Sequence, residues 1–125
     1  GMSVMAQAPS AIVPEWPAAT GSAQALWLLG AADKQGIYAQ RVRIPAGTTI
    51  APHTHTDERF SVVISGTIYV GFGDQVDETK LVPIAAGEMY IAPAGVAHYV
   101  VAKDGDAEYQ ESGMGPSGTK FITAP

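Results

Sequence analysis

The chain has 125 residues, a formal net charge of −5 and no cysteine, enough length for one domain with a real core. The missing thiols exclude disulfides, thiolate zinc sites, iron–sulfur clusters and cysteine nucleophiles. The acidic balance without a Lys/Arg cluster excludes nucleic acid as a partner, and no apolar run approaches the roughly 20 residues of a membrane-spanning helix.

Residues 1–24 are rich in Ala, Pro, Ser and Gly, with prolines at 9, 14 and 17. They read as an N-terminal arm, with Trp16 as an anchor docked on the body and residues 25–125 as the folded unit. Gly1 ahead of Met2 reads as the scar of a removed tag. The start lacks the basic and apolar regions of a secretory signal. The expected compartment is therefore the cytoplasm, or the periplasm if an upstream signal has been removed.

From Gln24 onward, short apolar runs follow one another: Ala25–Leu29, Gly36–Ile44, Phe60–Ser65, Thr67–Phe72, Leu81–Ile84, Met89–Ala92, Val96–Val101, Ala107–Glu111 and Lys120–Thr123. Each is bounded by Gly, Pro, Asp or Ser, the punctuation of strands. No run sustains a 3.6-residue apolar period, so no long helix is predicted. Eight to ten short strands at regular spacing predict an antiparallel all-β sandwich or barrel.

Only three histidines are present: His53, His55 and His98. Side chains at i and i+2 of a strand share a face, so His53 and His55 can converge on one point. His98 opens a strand about 40 residues later and can lie opposite the pair in a closed sheet. Three neutral imidazoles on one cavity wall can hold a first-row divalent metal.

The residues around the histidines resemble the two motifs of the cupin family. Gly47, His53, His55 and Gly66 match the first, which runs Gly, five residues, His-x-His, three or four residues, Glu, six residues, Gly. Gly87, Pro93, Gly95 and His98 match the second, with Ala102 where Asn is frequent. The resemblance implies a double-stranded β-helix (jelly-roll) barrel and a homodimer. It also implies one divalent metal (Mn, Fe, Ni or Zn) and a small-molecule ligand.

The family's metal-binding Glu falls on Arg59 in a gapless count. Similar small cupins carry their ligand Glu in an Asp-Glu-Arg stretch, which puts Glu58 of Asp57-Glu58-Arg59-Phe60 in that role. A one-residue shift reverses strand facing, so this assignment requires a bulge between Glu58 and Gly66. The predicted ligand set is His53, His55, Glu58 and His98. The alternatives are a site of three histidines, as in thiol dioxygenases and diketone-cleaving enzymes of the superfamily, or a metal-free anion pocket with Arg59 inside.

Other signals carry less. Gly113-Met114-Gly115-Pro116-Ser117-Gly118 matches G-x-G-x-x-G, but no helix can follow it, so it reads as a flexible turn. Ser61 and Ser65 lack a G-x-S-x-G elbow. Tyr38, Tyr69, Tyr90 and Tyr99 fall in strands, as core or rim residues. Gln40 and Arg41 lie on opposite faces of one strand, and one of them faces the cavity. Beyond Glu58, the acidic residues read as solvated surface. Three functions fit: a metal-dependent oxygenase-type oxidoreductase on a small metabolite, a non-catalytic ligand-binding module, and a sugar-type isomerase or epimerase.

Overall fold

The computed structural model describes residues 8–123. Ten strands build it: β1 (Gln24–Leu29), β2 (Gly36–Ile44), β3 (Thr48–His55), β4 (Arg59–Ser65), β5 (Thr67–Phe72), β6 (Val82–Ala85), β7 (Met89–Ala92), β8 (His98–Ala102), β9 (Ala107–Gly115) and β10 (Thr119–Phe121). One 3-10 turn, Glu78–Lys80, precedes β6. The strands pair antiparallel into two five-stranded sheets, ordered β1-β2-β9-β4-β7 and β10-β3-β8-β5-β6. The fold is the predicted all-β jelly-roll barrel. No helix of the described residues is long and apolar enough to cross a membrane.

Most strand boundaries lie within two residues of the predicted runs. Two segments differ. Thr48–His55, which carries three threonines and a proline, is a full strand. β9 continues through Gly113-Met114-Gly115, where a flexible turn was expected. These glycines pair with β2 and β4. A Cβ on Gly113 would lie 2.7 Å from the Tyr38 hydroxyl and 2.6 Å from an Asp57 carboxylate oxygen, so the close approach there requires glycine.

The inward faces of the strands divide the barrel interior into two halves. Along β2 the inward residues are Tyr38, Gln40, Val42 and Ile44; along β4, Arg59, Ser61 and Val63; along β9, Ala107, Tyr109 and Glu111. In each strand, one end supplies polar groups and the other supplies core. The apolar half is Val42, Ile44, Val63, Ile68, Val70, Val100, Ala102, Ala107 and Tyr109. Each fully buried Val or Ile there contributes about 1.5–3 kcal/mol. This packed half fixes the strands against which the polar half is built.

Two local devices set the geometry. Gly66 alone turns β4 into β5; its φ of +72° is the left-handed region that glycine adopts without strain. In β3, Ile50 pairs with Val100 but His53 pairs with His98, so one extra residue is inserted at Ala51-Pro52. That bulge switches the inward parity from Ile50 to His53 and His55. Pro52 suits the position because it has no N–H to give to the ladder.

In the arm, the Arg43 guanidinium lies 4.4 Å from the centre of the Trp16 ring and donates to the Pro17 carbonyl at 3.0 Å. Residues 1–7 of the predicted arm lie outside the described residues.

Candidate metal centre

The bulge in β3 and the start of β8 bring the three histidines together. Ring centroids are 4.2 Å apart for His53 and His98, 4.8 Å for His53 and His55, and 5.1 Å for His55 and His98. One ligand nitrogen from each lies within 4.8 Å of the others. Nitrogens sharing a metal at ~2.1 Å bonds lie roughly 3–3.5 Å apart, so a bound metal would draw the three rings closer.

Each ring is held through Nδ1. His53 Nδ1 donates to the carbonyl of the bulged Ala51 at 2.7 Å. His98 Nδ1 donates to the Val96 carbonyl at 3.3 Å. His55 Nδ1 lies 3.0 Å from the Thr119 hydroxyl and 3.3 Å from the Gly118 carbonyl. A donating Nδ1 leaves Nε2 as the bare acceptor, the tautomer a metal requires. The Nε2 atoms of His55 and His98 are buried without any hydrogen-bond partner.

Burial lowers the pKa of His53 below the ordinary value, and the Arg59 charge adds to the effect. Burial and Arg59 hold His55 down to about 3. Burial and the neighbouring His53 hold His98 down to about 4. All three rings are neutral at pH 7, and a divalent metal fits this donor set.

Glu58 does not join them, which corrects the predicted ligand set. β4 pairs regularly with β7 from Arg59↔Ala92 through Val62↔Met89, so no bulge shifts its first residues. Arg59 therefore faces inward at 4% exposure, and Glu58, one residue before the strand, is exposed. β4 does carry a bulge against β9, between Val63 and Ser65, but it lies beyond these residues and leaves Arg59 inward; the bulge that turns the histidines lies in β3.

Arg59 is tolerated beside the histidines because carboxylates surround it. Its Nη1 donates to Glu111 Oε2 at 3.2 Å and to Gln40 Oε1 at 3.3 Å, and its Nη2 to the Ser117 hydroxyl at 2.6 Å. Asp57 Oδ1 lies 3.6 Å from its Nε. Ser61 donates to the other oxygen of Glu111 at 3.2 Å. Asp57 also accepts from Ser117 at 2.5 Å and from the Tyr38 hydroxyl. Burial raises the Asp57 carboxyl, but Ser117, Tyr38 and Arg59 outweigh it and leave the pKa below the ordinary value. Burial raises Glu111 above its ordinary value, with Arg59 and Ser61 pulling the other way.

This Arg59–Asp57–Glu111 constellation was not read from the sequence, where the acids beyond Glu58 were placed on the surface. A usable signal was the alternation Ala107-x-Tyr109-x-Glu111, which puts Glu111 on the face of a buried tyrosine. Of the adjacent pair, Gln40 faces inward and Arg41 outward, where Arg41 pairs with Glu108 at 3.0 Å.

The two walls enclose a cavity of about 210 Å³. His53, His55 and His98 line one side, and Gln40, Arg59 and Glu111 the other; Val42, Ile50, Phe121, Ala23 and Ala25 supply apolar surface. The volume equals about seven waters, below the ~300–1,000 Å³ of drug-sized sites. A wider cleft of about 410 Å³ between the arm and the far end of the barrel is lined by Gly21, Arg43, Pro45 and Asp106. Among the described residues, it holds no buried polar side-chain atom without a partner.

The chain is 26% identical over 82 residues to germin-like protein 9-3 of Oryza sativa subsp. japonica, covering 65% of this chain and 38% of that protein. The chain thus spans under two-fifths of that curated relative's length. Among solved structures, the polyketide cyclase RemF of Streptomyces resistomycificus superposes with a TM-score of 0.69 at 15% identity, covering 83% of this chain and 73% of RemF. An oxalate oxidase in complex with the substrate analogue glycolate superposes with a TM-score of 0.64 at 21% identity, over 83% of this chain and 57% of that one. At these identities the superpositions show the fold alone. The model of the cupin domain matches residues 40–109, more than half of the sequence, and the chain belongs to that family.

Proposed function

We propose that the protein is a metal-dependent enzyme of the oxygenase type, acting on a small organic metabolite in the barrel cavity. The observation that carries this reading is the histidine cluster, with each Nδ1 engaged and the Nε2 atoms of His55 and His98 buried and free. A divalent metal of the Mn, Fe, Ni or Zn series, held by His53, His55 and His98, would supply Lewis acidity and, as iron, redox chemistry toward dioxygen. Arg59 occupies the place of the family's carboxylate ligand, so three neutral donors leave positions open for substrate and co-substrate.

The remaining residues have separate tasks. Val42, Ile50 and Phe121 exclude water from one side of the cavity. Gln40, Glu111 and Arg59 form a polar wall that orients a ligand opposite the histidines. The second reading, a binding module without chemistry, is favoured by one specific observation. Both Glu111 oxygens are engaged, by Ser61 and Arg59, leaving that carboxylate poorly placed as a base. The same observation weighs against an isomerase or epimerase.

The test has two steps. Elemental analysis of protein reconstituted with Mn, Fe, Ni or Zn should give close to one metal per chain. Oxygen uptake by the Fe²⁺ form, screened over thiols, diketones and carboxylates, should then find a consumed substrate. No metal after reconstitution would refute the metal centre; metal without turnover of any substrate would favour the binding module.

A further inference from the structure

The outward face of β4 is more apolar than its inward face. Phe60, Val62 and Ile64 point outward, while Arg59 and Ser61 accompany Val63 inward. β7 continues the outward face with Met89 and Ile91, because Val62 pairs with Met89 and Phe60 with Ile91. Ile91 also lines an apolar groove of about 370 Å³ with Phe72 and Val82, between β5, β6 and β7. One continuous apolar surface therefore runs from the groove, over β7, to the outside of β4. Six of its side chains, Phe60, Ile64, Phe72, Val82, Met89 and Ile91, are 44% to 56% exposed. A contiguous patch of this kind marks an interaction surface.

β7 is also a free edge of its sheet, paired with β4 alone. The other three sheet edges carry devices that discourage association. Pro83 interrupts β6. β10 is three residues long and carries Lys120. Beside β1 the arm is tied down, with Gln24 Nε2 donating to the Ala18 carbonyl at 2.9 Å. β7, which reads Met89-Tyr90-Ile91-Ala92, has neither a charge nor a proline.

We propose that this surface is where a second copy of the chain packs, the two copies related by a two-fold axis beside β7. At the roughly 150–250 Å² that a large side chain can bury, the six half-exposed residues present on the order of 500 Å². A standard interface takes about 800 Å² from each partner, of which about 57–65% is apolar. The surface matches the apolar share of one such side. Composition selects a like partner. The outward residues of β4 and β7 named above include no charge, and Lys80 is the one charged residue lining the groove. Lys80 is exposed, so its ammonium can stay in water while its stem packs. A two-fold sets the face against itself, and no buried charge is then left without a counter-charge. A strongly charged partner would bury its charges against hydrocarbon.

Sedimentation equilibrium of the full chain tests the proposal. The wild type should be dimeric at about 10 µM, because interfaces of this size reach micromolar affinity or tighter. Ile91→Glu puts a carboxylate into the interface twice, once from each copy, and should raise the dissociation constant by at least about tenfold. Ile37→Glu is the control. Ile37 is also exposed, on β2, three strands away in the same sheet, and its variant should dimerise like the wild type. Circular dichroism checks that both variants are folded. If Ile91→Glu does not fold, Phe60→Gln decides, since it removes apolar area without adding a charge and should weaken the dimer by about tenfold. A wild type still monomeric at about 100 µM, beyond the affinity range of such interfaces, would overturn the inference and leave the surface to an unlike partner. A deciding variant whose dissociation constant stays within about threefold of wild type would overturn it too, as would equal weakening by Ile37→Glu.

Discussion

Replacing Arg59 with methionine tests how the polar half of the barrel is held. The side chains of Arg59, Asp57 and Glu111 are 5%, 7% and 8% exposed, so solvent screens their attractions little. Arg59→Met retains much of the buried volume but leaves two carboxylates without their cation. Removing one partner of a buried pair costs about 3–5 kcal/mol. For a chain of this length each kcal/mol shifts the melting temperature by roughly 3–5 °C, so the variant should melt on the order of 10–20 °C below wild type at pH 7.

The pH dependence of that gap carries a definite sign. Glu111 already sits above its ordinary pKa because of burial, and loss of Arg59 raises it further. A carboxyl whose folded pKa is raised destabilises at high pH and is relieved as it takes up a proton. Asp57 has the opposite sign: its lowered pKa stabilises the wild type above about 4, and that stabilisation is lost as pH falls through the folded value. Thermal melts in the metal-free state should therefore show the gap narrowing between pH 7 and about pH 4.5. A loss below ~1 kcal/mol at pH 7, or a gap that widens on acidification, would refute the buried-network account.

Three further outcomes follow from the same geometry. Glu58→Gln should change metal affinity less than twofold by competitive chelator titration, because Glu58 is exposed and outside the histidine cluster. Gly71→Ala should cost roughly 3 kcal/mol in denaturant unfolding. The added methyl would overlap the ring of the fully buried Tyr99, whose hydroxyl accepts from the Asp77 N–H at 2.9 Å and donates to its carbonyl at 3.1 Å. Metal-free protein should lose stability as pH falls from 6.5 toward 4. The unfolded state protonates its histidines in that window while His55 and His98, at about 3 and 4, stay neutral; a melting temperature flat across pH 4–7 would contradict this.

The fold and the histidine cluster were legible because both rest on short-range signals. Strand runs are punctuated by turn residues within a few positions, and the histidines sit at fixed spacing from Gly47, Gly66, Gly87, Pro93 and Gly95. The facing of β4 was not legible in the same way. In Arg59-Phe60-Ser61-Val62-Val63-Ile64, Phe60, Val62 and Ile64 fill one parity and Val63 stands alone on the other, so the run itself favours the face that the structure turns outward. The Asp-Glu-Arg-Phe resemblance favours Glu58 as the ligand, and a buried arginine beside a metal is unfavourable when considered alone. The carboxylate partners of Arg59 reverse that balance. Asp57 stands two residues away, but Glu111 reaches Arg59 only because β9 pairs with β4, Ser61 opposite Glu111, across fifty residues of sequence. The bulge at Ala51-Pro52 was hidden for a related reason. Its effect appears only in the register against β8, where it turns His53 toward His98 and gives His53 Nδ1 the Ala51 carbonyl. The histidines were identified by spacing, whereas the charge facing them is set by which strands become neighbours. A buried arginine in this barrel therefore points to carboxylates on the adjoining strand, and register decides which carboxylate it meets.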